Sequence, residues 1–238
     1  LDIPAEWPER EAFRTYDFQL VAPRRLSEVS SFRLRSYPSF IAGVELPQSL
    51  RRKGLQLPEE GNPRSRELAR QLAAQYGDPR AIAQAMLTMF REQPFVYTLD
   101  PPKLAENAMD EFLFETRRGF CEHYASAFTL VMRAAGVPAR VVTGYQGGEF
   151  NPLGGYLIVR QSDAHAWSEI WIEGRGWLRV DPTAAVAPER IERGLIGAMG
   201  ELEPVPGRLR DASNLWMQAT LGWDTLNDFW NERVVRFN

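Results

Sequence analysis

The stretch RRGFCEHYASAFTLVMRAAGVPARVVTGY, residues 117–145, decides the fold because it passes from a turn into one helix and then into a strand. Its apolar residues recur at helical spacing on one stripe: Tyr124, Phe128, Val131 and Ala135. Such a stripe is typical of a helix that packs on one side. Gly136 and Pro138 are the residues that end a helix. We therefore predict a helix that begins near residue 121, followed by a strand over 139–145.

The only cysteine of the chain, Cys121, lies at the start of this predicted helix. The unpaired N–H groups of a first helical turn and the positive end of the helix dipole favour a thiolate there. Taken alone, Cys121 is more readily interpreted as a buried structural cysteine than as a nucleophile. A single cysteine also excludes an intrachain disulfide.

The elements around this helix indicate an α+β fold. Two helices are predicted before it, SRELARQLAAQYG over 65–77 and DPRAIAQAMLTMFREQP over 78–94, the second with an aspartate cap and a proline at its first position. A further helix and a loop are predicted over 104–118. Strand-like runs follow the central helix, separated by glycine-rich turns, over 155–160, 165–172 and 177–180. Helices first and antiparallel strands afterwards are not the alternating pattern of a parallel sheet.

The chain divides into three predicted regions. Residues 1–60 form a β-rich N-terminal extension, with strand-like stretches over Phe13–Val21 and Ser31–Phe40. Residues 61–185 form the core. Residues 186–238 form a helical C-terminal extension, because DASNLWMQATLGWDTLNDFWNERVV carries tryptophan and leucine at helical spacing. That helix packs on the core or leads towards a partner or a membrane segment.

His165 and Asp181 lie on two successive predicted strands that form a hairpin around EGRG. If the loop is Glu173–Arg175, Trp167 lies opposite Asp181, and His165 is a diagonal neighbour of Asp181 on the same face. A loop of even length would place the two side chains on opposite faces. A contact between them therefore requires an odd loop or a bulge, with glycine at positive φ.

A thiolate nucleophile requires a base that holds its proton and a carboxylate that orients the base. Cys121, His165 and Asp181 supply these three groups. His123, the other histidine, follows Cys121 by two residues, so the two side chains point about 200° apart on a helix. We assign His123 to packing or to a hydrogen bond beside the site. Separately, His165 is also interpreted as a structural histidine and Asp181 as a turn cap.

Three segments together resemble the signature of the transglutaminase-like superfamily of papain-like cysteine acyltransferases: RRGFCEHYASAFTLVMRAAGVPARVVTGY, DAHAWSEIWI and GWLRVDPT. The resemblance covers about residues 90–185. It implies a papain-like core in which the helix that carries the nucleophile packs on an antiparallel sheet. It also implies Cys121 as nucleophile, His165 as base and Asp181 as the third catalytic residue. The implied reaction is acyl transfer from a glutamine-type carboxamide through a thioester.

Further site residues are expected around these three. An oxyanion hole requires donors, and the backbone N–H of Cys121 is one of them. The resemblance implies a second donor from an upstream aromatic residue, for which Tyr97 in FVYTLDPP is our choice; a half-buried strand tyrosine is the alternative. Trp167 and Trp177 are expected near the three residues, either as walls of an acyl-binding tunnel or as core.

Composition narrows the possible functions. The net charge is −3 and no basic cluster is present, which argues against a nucleic-acid binder. We expect no cofactor and no metal, including calcium, because no EF-hand-like loop occurs. The expected partner is a protein or peptide substrate. Two alternative functions stay open: a cysteine protease or amidase that uses water, and a peptide- or glycan-binding module without catalysis.

The flanking segments resemble those of a bacterial inner-membrane protein whose catalytic domain faces the periplasm. No apolar run reaches the ~18 residues that span a bilayer, and no signal peptide is visible. The chain begins with Leu rather than Met, which suggests a fragment. We therefore expect a periplasmic domain that is attached to the inner membrane by segments outside this sequence.

Overall fold

The computed structural model describes residues 3–8, 12–15, 18–27, 32–37 and 40–188. These residues form two compact units. One unit comprises the described residues up to Glu45 together with Glu173–Trp177, and the other comprises the described residues of Leu46–Ile172 and from Leu178 onwards. The predicted C-terminal extension lies outside the described residues, except for 186–188. The boundaries of the three predicted regions stay predictions.

The first unit contains four short strands: β1 (Ile3–Glu6), β2 (Phe13–Arg14), β3 (Leu20–Val21) and β4 (Arg35–Tyr37). β1 pairs antiparallel with β4, and β2 pairs antiparallel with β3. The prediction of one strand over Phe13–Val21 is wrong because the chain reverses: the Thr15 hydroxyl accepts the Gln19 N–H at 3.0 Å. The strand predicted over Ser31–Phe40 is reduced to β4.

The second unit contains five α-helices: α1 (Gln48–Leu55), α2 (Pro63–Tyr76), α3 (Pro79–Glu92), α4 (Ala108–Glu111) and α5 (Cys121–Ala134). The predictions for α2, α3 and α5 are confirmed to within two residues. The side chain of Asp78 caps α3 by accepting the Ala81 N–H at 3.1 Å. α4 continues into a π-helical turn at Phe112–Thr116, so the helix predicted from residue 104 begins late. Helix α1 was not predicted from the sequence.

The remaining strands are β5 (Val96–Tyr97), β6 (Arg118–Gly119), β7 (Ala139–Tyr145), β8 (Glu149–Asn151), β9 (Tyr156–Ile158), β10 (Ala164–Ile172) and β11 (Gly176–Val180). β5 and β6 pair in parallel, β8 and β9 form a hairpin, and β11, β10 and β7 form a three-stranded sheet in that order. β10 and β7 are antiparallel, with His165 opposite Gly144. Strand β8 was not predicted from the sequence.

One face of β10 packs on α5, and this contact sets the position of Cys121. Ala166 packs with Cys121 and Ala125. The Ser168 hydroxyl donates to the Ala125 carbonyl at 3.0 Å, and Ile170 lies in the main core. α5 and β10 therefore run side by side in the same direction, which brings Cys121 next to the start of β10. The predicted α+β architecture, with the cysteine-bearing helix packed on an antiparallel sheet, is confirmed.

Candidate active site

Cys121 is the first residue of α5, and it is 8% exposed. The N–H groups of a first helical turn have no acceptor within the helix, and the helix dipole favours negative charge at this end. The chain enters the helix through Gly119, where a side chain has no room. A Cβ atom there would lie 2.7 Å from Cβ of His123 and 3.0 Å from Phe112. The glycine two residues before the cysteine is thus required by close packing.

His123 stabilises the start of α5. Its Nδ1 accepts the backbone N–H of Phe120 at 3.3 Å, and its ring packs edge-on against the Phe120 ring. Burial lowers the pKa of His123 below 6.5, in agreement with a neutral ring whose Nδ1 is free to accept. The prediction that His123 packs and makes a hydrogen bond beside the site is confirmed.

His165 and Asp181 are brought into direct contact. Nε2 of His165 lies 2.8 Å from Oδ2 of Asp181, and the two side chains are 0% and 12% exposed. The other carboxylate oxygen of Asp181 accepts the Thr183 N–H at 3.1 Å. Asp181 is therefore held from both sides, and it fixes the orientation of the imidazole.

The hairpin between β10 and β11 explains this contact. β10 ends at Ile172 and β11 begins at Gly176, so the turn has three residues. Gly174 and Gly176 adopt φ values of 71° and 76°, in the left-handed region that glycine tolerates best. The predicted odd loop is confirmed, and it places the two side chains on one face.

The surroundings of His165 favour its charged form. Burial by itself lowers the pKa of His165, but the hydrogen bond to Asp181, the interaction with Cys121 and the negative charges of both groups raise it above 6.5. Nδ1 of His165 is buried and makes no hydrogen bond of normal geometry within the described part of the chain. Asp181 engages Nε2, so Nδ1 is the ring nitrogen that is left to exchange a proton.

Tyr97 lies beside the entrance to α5. The parallel pairing of β5 with β6 places it opposite Gly119, two residues before Cys121. It is buried and close to Tyr124, whose pKa is raised first by burial and then by Tyr97. Its role as an oxyanion donor, like that of the Cys121 N–H, stays a prediction.

The two tryptophans have different surroundings. The Trp167 ring is stacked near the His165 ring, at 6.2 Å between centroids and 25° between planes. Trp177 instead packs against Gly43, where a Cβ atom would lie 2.9 Å from the indole, and the backbone N–H of Trp177 donates to the Ala42 carbonyl at 2.9 Å. Their role as walls of an acyl-binding tunnel stays a prediction.

Arg179 is a further residue beside the site that was not predicted from the sequence. Its guanidinium lies over the Trp167 ring at 4.2 Å and 3.9 Å from Oδ2 of Asp181. Sequence spacing could have indicated this position. Arg179 precedes Asp181 by two residues at the end of a strand, so the two side chains share a face.

Two other features concern only the residues that the structure describes. They contain no cluster of three or more histidine, cysteine, aspartate or glutamate side chains that is arranged to bind a metal ion. None of their helices combines the length and the apolar character that crossing a membrane requires.

Sequence comparison agrees with this geometry. The sequence profile of the transglutaminase-like superfamily, Transglut_core, matches residues 62–182, about half of the chain, and the protein therefore belongs to that superfamily. The resemblance found in the sequence is thereby confirmed. The match includes Cys121, His165 and Asp181.

Known relatives share most of this chain. It is 45% identical over 227 residues to the protein-glutamine gamma-glutamyltransferase of Pseudomonas aeruginosa and 34% identical over 136 residues to the uncharacterized protein YebA of Bacillus subtilis. These matches cover 93% and 54% of this chain but only 34% and 18% of the two relatives. The crystal structure of the periplasmic domain of TgpA from P. aeruginosa matches with a TM-score of 0.81 and 47% identity, over 83% of this chain and 68% of that one.

Proposed function

We propose that this protein catalyses cysteine-dependent acyl transfer from a glutamine side chain, with Cys121, His165 and Asp181 as a catalytic triad. The observation that carries the proposal is the His165–Asp181 contact of 2.8 Å, beside the packing of Cys121 against Ala166, the next residue after His165 in β10. A carboxylate-oriented imidazole next to a thiol at a helix start is an arrangement that activates sulfur as a nucleophile.

The reaction has two steps. The Cys121 thiolate attacks the carboxamide carbon, the C–N bond breaks, and ammonia leaves with a proton from the His165 imidazolium. An amine then attacks the thioester, His165 takes a proton from it, and the C–S bond breaks to restore the thiolate. Asp181 stabilises the imidazolium in the state before ammonia leaves and in the state after the amine attacks.

The charge on the carbonyl oxygen requires donors in both tetrahedral intermediates. The backbone N–H of Cys121 lies at the free end of α5, where it has no helical acceptor. Tyr97 is our proposed second donor because the β5–β6 pairing places it alongside Gly119. Tyr97→Phe therefore lowers kcat more than it raises KM.

The relatives supply the proposed substrate class and location. The P. aeruginosa relative is named a protein-glutamine gamma-glutamyltransferase, so we propose a protein or peptide glutamine as acyl donor and an amine as acceptor. The structural match to a periplasmic domain leads us to place this protein in the bacterial periplasm, attached to the inner membrane by segments outside the given sequence.

The test is incorporation of a labelled primary amine into a glutamine-containing protein. We expect incorporation by the unmodified chain and a loss of at least about 10³-fold in Cys121→Ala and in His165→Ala. His123→Gln is the matched control, since glutamine keeps a side-chain acceptor at the third helical position. Incorporation that survives Cys121→Ala would contradict the proposal, and ammonia release without amine incorporation would show an amidase instead.

A further inference from the structure

Three side chains on one face of the sheet form a stack: His165, Trp167 and Arg179. The proposed reaction uses His165 but assigns no step to the other two. The centroids of the His165 and Trp167 rings lie 6.2 Å apart, and the Arg179 guanidinium lies over the Trp167 ring at 4.2 Å. Arg179 also approaches Oδ2 of Asp181 at 3.9 Å, the same oxygen that His165 contacts. One carboxylate oxygen is thus approached by two cationic side chains, and one indole lies beside both of them.

The fold makes room for this stack. Gly144 lies opposite His165 on the neighbouring strand, and a Cβ atom there would lie 2.8 Å from the Trp167 ring. A side chain at this position would therefore push the indole out of place. The absence of a side chain at residue 144 lets the indole lie close to the backbone of β7.

Arg179 is held in a defined orientation although its side chain is 47% exposed. Nη2 donates to Oε1 of Gln146 at 2.8 Å, while the guanidinium carbon lies over the indole at 4.2 Å from the ring centroid. Exposed arginines usually retain much rotamer freedom, and a contact with an aromatic ring together with a hydrogen bond restricts it. This arrangement places a fixed positive charge beside the Asp181 carboxylate.

We propose that Arg179, supported by Trp167 and Gln146, is a positioning residue that holds the Asp181 carboxylate against His165. Thr183 fixes Oδ1 of the carboxylate through its N–H, and Arg179 attracts Oδ2, the oxygen that contacts His165. Asp181 is thereby prevented from rotating away from the imidazole. This inference rests on the proposed triad, and it assigns Trp167 to the support of Arg179 rather than to a tunnel wall.

The test compares Arg179→Gln, Arg179→Lys and Trp167→Phe by steady-state amine incorporation. We expect Arg179→Gln to lower kcat about 10-fold with KM changed less than about 2-fold, because catalytic geometry is lost while substrate binding is kept. Arg179→Lys keeps the charge but lacks the planar guanidinium that contacts the indole. Its kcat is therefore expected to lie between that of the unmodified protein and that of Arg179→Gln. Trp167→Phe lowers kcat by about 3-fold, since a smaller ring supports the guanidinium less well.

Arg160→Gln is the matched control. The Arg160 side chain is 40% exposed and pairs with Glu149, so its removal changes net charge equally while leaving the stack intact. We expect its kcat to stay within about 2-fold of the unmodified protein. Thermal unfolding of every variant checks that the fold is retained.

Three outcomes would overturn the inference: an unchanged kcat in Arg179→Gln, a loss that lies wholly in KM, or an equal loss in Arg160→Gln. A loss wholly in KM would make Arg179 a substrate contact. Failure of the triad itself is distinguished by Cys121→Ala: if that variant keeps its activity, the proposed function is wrong whatever Arg179 does.

Discussion

The two faces of β10 perform different tasks. The inner face, Ala166, Ser168 and Ile170, is buried against α5 and the core. The outer face, His165, Trp167 and Glu169, contacts charged groups of the neighbouring strands: Asp181, Arg179 and Arg140. Side chains of a strand alternate between its faces, so one nine-residue segment both anchors the fold and carries the reactive groups. We therefore expect residue parity to separate the contributions of β10 to stability and to activity.

The largest effect is expected on the outer face, from Asp181→Asn. Asparagine keeps an oxygen that accepts the Thr183 N–H, so the turn after β11 is preserved while the negative charge beside His165 is lost. We expect kcat to fall by about 10³-fold, because the imidazole loses both its orientation and the stabilisation of its charge. Amine incorporation measures the loss, and urea unfolding checks that the free energy of unfolding stays within about 1 kcal/mol.

A fall in the free energy of unfolding of Asp181→Asn well beyond about 1 kcal/mol would contradict the comparison, since the outer face would then stabilise the fold as well. The control is Glu169→Gln, a change of the same kind on the outer face of β10. Glu169 pairs with Arg140 at 2.6 Å, away from His165, and we expect a kcat within about 2-fold of the unmodified protein.

The inner face is tested by Ile170→Ala. Ile170 is 2% exposed and packs in the main core, so its truncation leaves a cavity. We expect the free energy of unfolding to fall by about 3 kcal/mol, with kcat per folded molecule lowered less than about 3-fold. Urea unfolding and active-site titration of the single thiol provide the two measurements. A loss of kcat as large as that of Asp181→Asn would show that the two faces are not separable.

The two histidines permit a direct test of the outer-face electrostatics, because no others exist in the chain. A proton NMR titration is expected to show His165 titrating above 6.5 and His123 below it. Asp181→Asn removes a hydrogen bond and a negative charge, so the pKa of His165 falls while that of His123 stays. Histidines that both titrate near 6.5 would contradict the proposed ion pair.

The same shift has a consequence for stability. A pKa raised in the folded state stabilises the fold fully below 6.5, and this contribution is lost as the pH rises through the raised value. We therefore expect the stability difference between the unmodified protein and Asp181→Asn to shrink as the pH rises from 6.5.

Much of this arrangement follows from local sequence. The apolar stripe after Cys121 predicts α5, and strand parity predicts that His165 and Asp181 share a face if the loop between their strands is odd, as the structure has it. Both predictions rest on periods of helix and strand that neighbouring residues determine. The recognisable part of the site is therefore the part that is built from short-range geometry.

The rest depends on contacts between distant residues. The parallel pairing of β5 with β6 places Tyr97 beside Gly119, and no local period indicates it. The stack of Arg179 on Trp167 requires the register of two strands and the open space at Gly144. In the N-terminal region, the apolar residues of Phe13–Val21 suggested one strand, whereas the hydrogen bond between Thr15 and Gln19 reverses the chain. Such pairings override local secondary-structure propensity because they provide hydrogen bonds for backbone N–H and C=O groups.

A smaller effect is expected from the hydroxyl pair on the inner face. Ser168 donates to the Ala125 carbonyl, and the Thr129 hydroxyl lies 3.0 Å from that of Ser168. In Ser168→Ala the Thr129 hydroxyl is free to turn to the carbonyl of its own helix, so no buried group is left unpaired. We expect a loss of about 1 kcal/mol in the free energy of unfolding and an unchanged pKa of His165.

Thr129→Val is the matched variant for that pair, because valine keeps the shape of threonine. Combining it with Ser168→Ala removes both hydroxyls. The double variant is expected to lose no more free energy of unfolding than the two single variants lose together. A shift of the His165 titration in either variant would mean that the inner face also tunes the reactive groups.

The smallest effect is expected from His123→Ala at the start of α5. This change removes the acceptor of the Phe120 N–H, and the loss of a helix cap lowers the free energy of unfolding by about 1 kcal/mol. His123→Gln restores a side-chain acceptor and is expected to recover part of that loss. Because His123 is not the base in the proposed reaction, kcat stays within about 3-fold in both variants. A loss of kcat in His123→Ala comparable to that in His165→Ala, in a protein that remains folded by circular dichroism, would show that the base lies on α5 rather than on β10. The division of tasks between the two faces of β10 would then no longer hold.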